Sequence, residues 1–263
     1  MKAVVFNDFC SLGNCALKVN ISVLMQNGIE IIPIATKFFS AHMGYSNYLS
    51  FENKNFKEIV LNILENEKSI DLVYIGFVDS KEQLEIIKYF LKKSNPNKII
   101  LDPILGDNGK KYLGVNDEQV QIYREFIKFS DIITPNLTEA MLLSDCNKEF
   151  VNIEREDVLE MAKNLQNIGS KEVIIKGLNE GENLITLYFD GSFTWNKIKK
   201  VETKICGTGD AFSSLISVCA INDKNLKNSI SKIQDLLYYT ICNKELNDGL
   251  NEINTEFLKL DYN

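Results

Sequence analysis

Residues Gly207-Thr208-Gly209-Asp210 set a hydroxyl and a carboxylate among two glycines, just ahead of an apolar run that reads as a buried helix to Ile221. Glycine lets a backbone turn tightly and approach a ligand with no Cβ in the way. The helix that follows begins with unpaired N–H groups, and such an end binds phosphate or a developing negative charge. Asp210 placed there can take a proton from a hydroxyl while the N–H groups hold the anion that forms. The same aspartate also reads as a plain helix cap, so the chemistry depends on what else the chain brings to that end.

The elements around it can be read in order. Residues 2–6 predict a first strand and 7–14 a polar turn. Residues 15–26 have helical spacing through Leu17, Ile21, Leu24 and Met25, stopping at Asn27-Gly28. Residues 30–35 predict a second strand. Residues 36–53 carry Phe38, Phe39, Tyr45, Tyr48 and Phe51 with no clean period, which predicts a loop covering a substrate. An amphipathic helix over 56–67 and a buried strand over 71–77 follow. Ser80-x-x-Gln83 reads as a capping box for a helix to residue 93. Residues 98–102 predict a strand ending in Asp102, residues 106–114 a glycine-rich loop, and 116–128 a helix. A short strand over 131–134 stops at Pro135, and Asn136-x-x-Glu139 opens a helix to 143. A helix over 154–168 closes at Gly169, and a strand over 172–176 ends at Lys176-Gly177. Residues 184–198 read as a hairpin about Asp190-Gly191. Helical patterns resume at about 225–246 and 251–260.

Strand and helix alternate, and the strands are continuous apolar runs. This predicts an α/β fold with a mainly parallel sheet covered on both faces by right-handed crossovers. In such sheets ligands bind beyond the carboxyl ends of the strands. The polar and glycine-containing stretches recur at those ends: 7–13, 36–42, 76–79, 102–109, 134–139 and 176–177. The 263 residues fit one domain over 1–263, with no repeat and no low-complexity linker.

Composition narrows the function further. Net charge is −7 with Lys and Asp/Glu interleaved, which argues against a nucleic-acid surface and against a polybasic membrane tail. An anionic nucleotide must then be held locally, by backbone N–H groups, a metal and a few lysines. Six cysteines (10, 15, 146, 206, 219, 242) show no CxxC spacing beside a single histidine, which argues against a zinc site and fits reduced thiols in the cytoplasm. The N-terminus runs straight into a strand pattern, so no signal peptide is expected. There is no GxxxxGK[ST] and no GxGxxG after the first strand, which argues against a P-loop or a dinucleotide site.

The glycine-rich segment resembles the signature of the ribokinase-like superfamily of small-molecule kinases, and within it the pyridoxal/pyridoxamine kinase family matches best. Asp102-Pro103-Ile104-Leu105-Gly106-Asp107-Asn108-Gly109 is similar to that family's DPVxGDxG segment. Asp131-Ile132-Ile133-Thr134-Pro135-Asn136 with Glu139-Ala140 resembles DIITPNxxEA, and Thr36 to His42 resembles the T/SxxxSxH substrate segment. The resemblance implies a three-layer α/β/α fold without a separate lid, and ATP-dependent phosphorylation of the 5′-hydroxyl of a vitamin B6 vitamer. Asp210 would be the base, and Gly207, Thr208 and Gly209 would form the anion hole with it. Asp102 and Glu139 would place Mg²⁺, with Asp107 and Asn136 nearby. Thr134 would lie by the ATP phosphates and a monovalent-cation site such as one for K⁺. Thr36, Ser40 and His42 would close over the pyridine ring. The family also implies a cytoplasmic homodimer.

Phosphoryl transfer needs positioning, charge neutralisation and a base, and Mg²⁺ favours one or two carboxylates with phosphate and water. Lys176 would add positive charge at the same edge. Plainer readings stay beside these: Asp102 as a strand-to-turn residue, Glu139 as the capping partner of Asn136, His42 as a bonded loop residue, Lys176 as a snorkelling side chain, and Cys206 as a small packed one. Three departures bear on substrate choice. Phe77 follows Gly76 where many pyridoxal kinases have Tyr, Asp8 stands where many have Ser, and Cys206 replaces a smaller residue. A carboxylate at position 8 favours an amine-bearing ring such as that of pyridoxamine. The rivals are hydroxymethylpyrimidine kinase and a non-catalytic sensor of the same fold.

Overall fold

In the computed structural model the continuous apolar runs form the middle of a nine-stranded sheet. The structure describes residues 1–202, 205–243 and 251–260. In chain order the elements are β1 (Lys2–Leu12), α1 (Ala16–Gln26), β2 (Glu30–Ala41), β3 (Ser50–Glu52), α2 (Phe56–Asn66), β4 (Leu72–Ile75), α3 (Lys81–Ser94), β5 (Lys98–Leu101), β6 (Gly106–Asp107) and β7 (Lys110–Lys111). They continue with α4 (Asp117–Ile127), β8 (Ile132–Ile133), α5 (Leu137–Leu143), a 3₁₀ turn (Phe150–Asn152), α6 (Arg155–Ile168), β9 (Glu172–Glu180), β10 (Asn183–Phe189) and β11 (Phe193–Lys199). Last come β12 (Ile205–Cys206), α7 (Thr208–Ile221), α8 (Leu226–Cys242) and β13 (Asn251–Glu252). The sheet order is β11-β10-β9-β8-β5-β4-β1-β2-β3. From β9 to β2 every pairing is parallel, and the outer pairs β9–β10, β10–β11 and β2–β3 are antiparallel.

Side chains alternate across the sheet, as a period of two demands. Val4, Phe6, Val73 and Ile75 enter one core with α2 to α6, while Ala3, Val5, Leu72 and Tyr74 enter the other with α1, α7 and α8. Both faces are therefore covered, as the apolar runs required. The first crossover carries α1 on one face, the next carries α2 on the other, and β1 lies between β2 and β4. That reversal opens a crevice at the carboxyl end of β1.

Several expectations are corrected, among them the strand over 172–176, which runs on through Lys176-Gly177 to Glu180 and pairs with β10 there. The polar turn over 7–14 is strand as far as Leu12, and the loop over 36–53 is strand to Ala41 followed by the β2–β3 hairpin. These extensions pair with each other beyond the body of the sheet, from Asn7 opposite Ala35 to Leu12 opposite Ala41, with a register shift at Asp8. The helical pattern over 251–260 is instead a short strand and turns, and β13 pairs parallel with β12. Its apolar spacing is real: Ile253 and Leu258 are buried, but in extended and turn backbone. Residues 244–246, expected to end the preceding helix, lie outside the described residues. At Ser80 half of the capping box forms: Ser80 Oγ accepts from Gln83 N, while the Gln83 side chain turns to Asp79 N and Thr36 O. The expected two-residue Asp190-Gly191 turn is a three-residue loop closed by Phe189 opposite Phe193.

Candidate active site

Gly207 stands at φ +83° between β12 and α7, a left-handed backbone that suits glycine. A Cβ there would lie 2.5 Å from Asn14 O and 2.8 Å from Ile253 Cγ2. The loop is thus pressed against the α1 start on one side and the β13 segment on the other, and Ile253 N donates to Cys206 O at 2.9 Å. The first turn of α7 then presents the backbone N–H groups of Thr208, Gly209 and Asp210 without helical partners, as any helix start does.

Asp210 Oδ2 accepts from Ala16 N at 2.9 Å, and its Oδ1 faces Asn7 Nδ2 at 3.5 Å. Burial pushes this carboxyl up to about 7, with the charges of Asp102 and Asp8 adding to the shift, against the Ala16 N–H and Lys176. A group with that value is divided between base and acid at neutral pH, which suits proton transfer.

Asp102 follows β5 and is buried. Its Oδ2 accepts from Tyr74 Oη at 2.8 Å, and its Oδ1 accepts from Thr134 Oγ1 at 3.0 Å and from Lys176 Nζ at 3.1 Å. Lys176 also donates to Ser213 Oγ at 3.2 Å, and its Nζ lies 3.8 Å from where a Gly209 Cβ would stand. The lysine therefore does not snorkel: it links the Asp102 carboxylate to the first turns of α7. Thr134 is committed to Asp102 and to Ser213 Oγ at 2.9 Å.

Glu139 fulfils its plain reading and remains a candidate for the other. It completes the capping box with Asn136, its Oε2 accepting from Asn136 N at 2.8 Å and its Oε1 from Leu105 N at 3.3 Å. Burial pushes it up to about 8, opposed by Lys176 and aided by Asp102. Asn136 Nδ2 ties this corner to Gly106 O at 2.8 Å. Asp107 sits in the β6–β7 hairpin, bonded to Asn108. Among the described residues no three His, Cys, Asp or Glu side chains cluster closely enough to hold a metal by themselves. Two buried carboxyls beside a phosphate-type site instead fit a cation that keeps water and phosphate as its other ligands.

At the β1 end, Asp8 is buried and accepts from Cys10 Sγ at 3.2 Å. Burial pushes its carboxyl up to about 6, against that hydrogen bond. Next to it Cys10, Phe39 and Phe77 form a small apolar cluster with Cys15, Tyr48 and Ile104. The Phe39 and Phe77 rings meet edge to face at 6.0 Å. This packed aromatic cluster has a carboxylate at one side. Thr36 is fully buried on β2, and its Oγ1 has no partner.

Two residues expected over the ring have other partners. Ser40 Oγ accepts from Leu49 N at 2.8 Å within the β2–β3 hairpin. His42 Nδ1 accepts from Gly44 N at 3.0 Å, so Nε2 carries the proton and donates to Glu252 Oε1 at 3.1 Å. Glu252 also accepts from Tyr45 Oη and Asn14 N. The β13 segment thereby ties the ends of β1 and β2 together.

Sequence reading missed Asn7, Asn20, Tyr74, Ser213, Asn14 and Glu252. Asn20, Ser213 and Ser214 left a signal: each is a polar residue inside an apolar helical run, and all are buried.

Comparison with known proteins follows this geometry. The model of the family described as phosphomethylpyrimidine kinase matches residues 38–254. The chain is 35% identical over 182 residues to hydroxymethylpyrimidine/phosphomethylpyrimidine kinase of Aquifex aeolicus, covering 67% of this chain and 69% of that protein. It is 28% identical over 256 residues to pyridoxal kinase of Ovis aries, covering 88% and 80%. A Bacteroides thetaiotaomicron protein described as a phosphomethylpyrimidine kinase, in its crystal form with pyridoxal, superposes with a TM-score of 0.87 at 25% identity over 94% of this chain and 90% of that one. Pyridoxal kinase of Staphylococcus aureus in complex with AMP-PCP and pyridoxal shares the fold at a TM-score of 0.83 and 17% identity, over 97% and 93%.

Proposed function

We propose a reaction for a chain that belongs to the phosphomethylpyrimidine kinase family, within the ribokinase-like superfamily: transfer of the γ-phosphoryl of ATP to the 5′-hydroxyl of a vitamin B6 vitamer. The observation that carries it is Asp210, a carboxyl pushed up to about 7 at the first turn of α7, with Lys176 near the same turn. Relatives that are pyridoxal kinases, and a similar structure holding pyridoxal, support the B6 acceptor. The AMP-PCP complex of the Staphylococcus aureus enzyme supports ATP as donor.

In this reading the acceptor ring would lie in a slot between Asp8 and the Phe39–Phe77 cluster, with its hydroxymethyl group toward Asp210. Asp210 takes the hydroxyl proton as the oxygen attacks the γ-phosphorus and ADP leaves. The N–H groups of residues 207–210 and the Lys176 ammonium hold the charge spread over the transferred oxygens. Asp102 and Glu139 would hold Mg²⁺ through its waters, and the ion would neutralise the nucleotide phosphates. Asp107 and Asn136 shape the loop beneath the nucleotide, and Thr134 keeps Asp102 oriented.

A second reading, hydroxymethylpyrimidine as acceptor, is favoured by the 35% identity to the Aquifex aeolicus enzyme. Both acceptors are flat heteroaromatic rings bearing a hydroxymethyl group, so one slot and one base serve either. Turnover of ATP with each acceptor in parallel, beside Asp210→Asn, separates them.

A further inference from the structure

We propose that Asn7 is a positioning residue for Asp210, its amide holding the carboxylate toward the acceptor and tying it to the backbone of β1 and of the segment that follows β4. The proposal rests on the kinase reading above. Asn7 is fully buried in β1. Its Oδ1 accepts from Asp8 N at 3.0 Å and from Phe77 N at 2.9 Å. Its Nδ2 donates to Asn20 Oδ1 at 2.8 Å and faces Asp210 Oδ1 at 3.5 Å. An amide offers two acceptor and two donor positions, and here all four point at a partner. The orientation is therefore fixed. A flipped amide would set its NH₂ against two N–H groups and its oxygen against two oxygens.

Structural duty accounts for Oδ1, because an apolar residue would leave two buried N–H groups without an acceptor. It does not account for the NH₂ aimed at Asp210. The arrangement is braced from both sides. Asn20 Nδ2 donates to Ser214 Oγ on α7 at 2.9 Å, so β1, α1 and the base-bearing helix are joined through one chain of hydrogen bonds. Gly76 provides the room, since a Cβ there would lie 2.5 Å from Asn7 Cγ. The 3.5 Å separation from Asp210 is long, as catalytic hydrogen bonds often are before substrate binds.

The charges that bear on Asp210 are those of Asp102, Asp8 and Lys176, and the titratable groups on which Asp210 itself acts are Cys15, Tyr74 and Tyr112, each pushed up and so neutral at pH 7. Asn7→Asp adds a carboxyl beside Asp8 and Asp210, so a rise in the Asp210 midpoint in this variant alone does not decide the role of Asn7. The variant keeps the shape and the oxygen for both N–H groups, and it replaces the donor facing Asp210 with an acceptor. Asn7→Ser, which removes the amide donors by truncation, is the second variant. The Asp210 carboxyl is followed by ¹³C NMR in aspartate-labelled protein, its signal assigned by loss in Asp210→Asn. This readout needs no substrate. Its midpoint is expected to move up by about one pH unit in Asn7→Ser, the uncharged variant that decides the matter, and by more in Asn7→Asp. With ATP and a B6 vitamer, the acid limb of kcat/KM should move with it, and kcat at pH 7 should fall roughly ten- to a hundredfold with KM for ATP within about twofold. In the unmutated protein the Asn7 NH₂ resonances should titrate with the Asp210 midpoint. A carboxyl midpoint unmoved in a folded variant, or Asn7 resonances indifferent to it, overturns the proposal whatever the substrate. Absence of turnover by the unmutated protein with every acceptor fails the kinase reading alone, and the carboxyl midpoint still decides the role of Asn7.

Discussion

At the scale of the residue, the central feature is a carboxyl poised near neutrality. Asp210 must be ionised to accept a proton, so kcat/KM should rise with pH through about 7, the value that burial imposes on it. Asp210→Asn should lower turnover by about 10²–10⁴, the usual worth of a general base, with the protein still folded. Retained turnover in that variant would remove Asp210 from the role. Asp8 bears on choice of ring. Its carboxylate flanks the Cys10–Phe39–Phe77 cluster, so under the proposed reaction Asp8→Ser should lower kcat/KM for pyridoxamine relative to pyridoxal and pyridoxine. Equal ratios in both proteins would sink the charge argument. Motif types pointed to Asp210, Asp102, Glu139 and Lys176, and the structure places Asp102 just after β5, Glu139 and Asp210 in the first turns of α5 and α7, and Lys176 within β9. They did not reveal that Ser40 and His42 bond to Leu49 and Glu252, since a side chain's partner is set by segments distant in the chain.

At the scale of the element, the loop proposed as the anion hole depends on one glycine. Gly207→Ala would place a Cβ 2.5 Å from Asn14 O at φ +83°, a strain of about 1–3 kcal/mol. Thermal unfolding should shift down by several degrees, and turnover should fall more steeply than stability, because the N–H groups lose their aim. An alanine variant with wild-type midpoint and kcat would show that the loop tolerates another backbone. The apolar strands and amphipathic helices were legible from periodicity alone. The carboxyl halves of β1 and β2 were not. Asn7, Asp8, Ser11 and Thr36 to Ser40 interleave polar residues where the apolar run ends, and their strand conformation comes from pairing with each other rather than from composition. β13 was illegible for a related reason, since its partner β12 lies more than forty residues away and the pair is two residues long.

At the scale of the molecule, the reversal of winding about β1 gathers Asp8, Asp210, Asp102 and Glu139 into one crevice. Three of these carboxyls are pushed up by burial, Asp8 to about 6, Asp210 to about 7 and Glu139 to about 8. A carboxyl whose folded value lies above its unfolded value stabilises the fold below the unfolded value, and that contribution is lost as pH rises through the folded one. The surface carboxylates Glu67, Asp117, Asp157, Glu180 and Asp190 are lowered by their partners, so their contribution is lost only in acid, below their ordinary range. The protein without nucleotide should therefore unfold at a higher temperature at pH 5.5 than at pH 8, and Asp210→Asn should flatten that slope. A thermal midpoint that climbs from pH 5.5 to pH 8 would contradict the burial argument.

The measurement that tests the account most directly is ATP consumption with Mg²⁺ and pyridoxal, pyridoxamine, pyridoxine or hydroxymethylpyrimidine in parallel, for the unmutated protein and for Asp210→Asn. The account predicts turnover of at least one B6 vitamer, pyridoxamine foremost, that collapses in the variant. Turnover with the pyrimidine alone would move the acceptor to the second reading, and a folded protein that consumes ATP with none of the four would contradict the kinase assignment of this site.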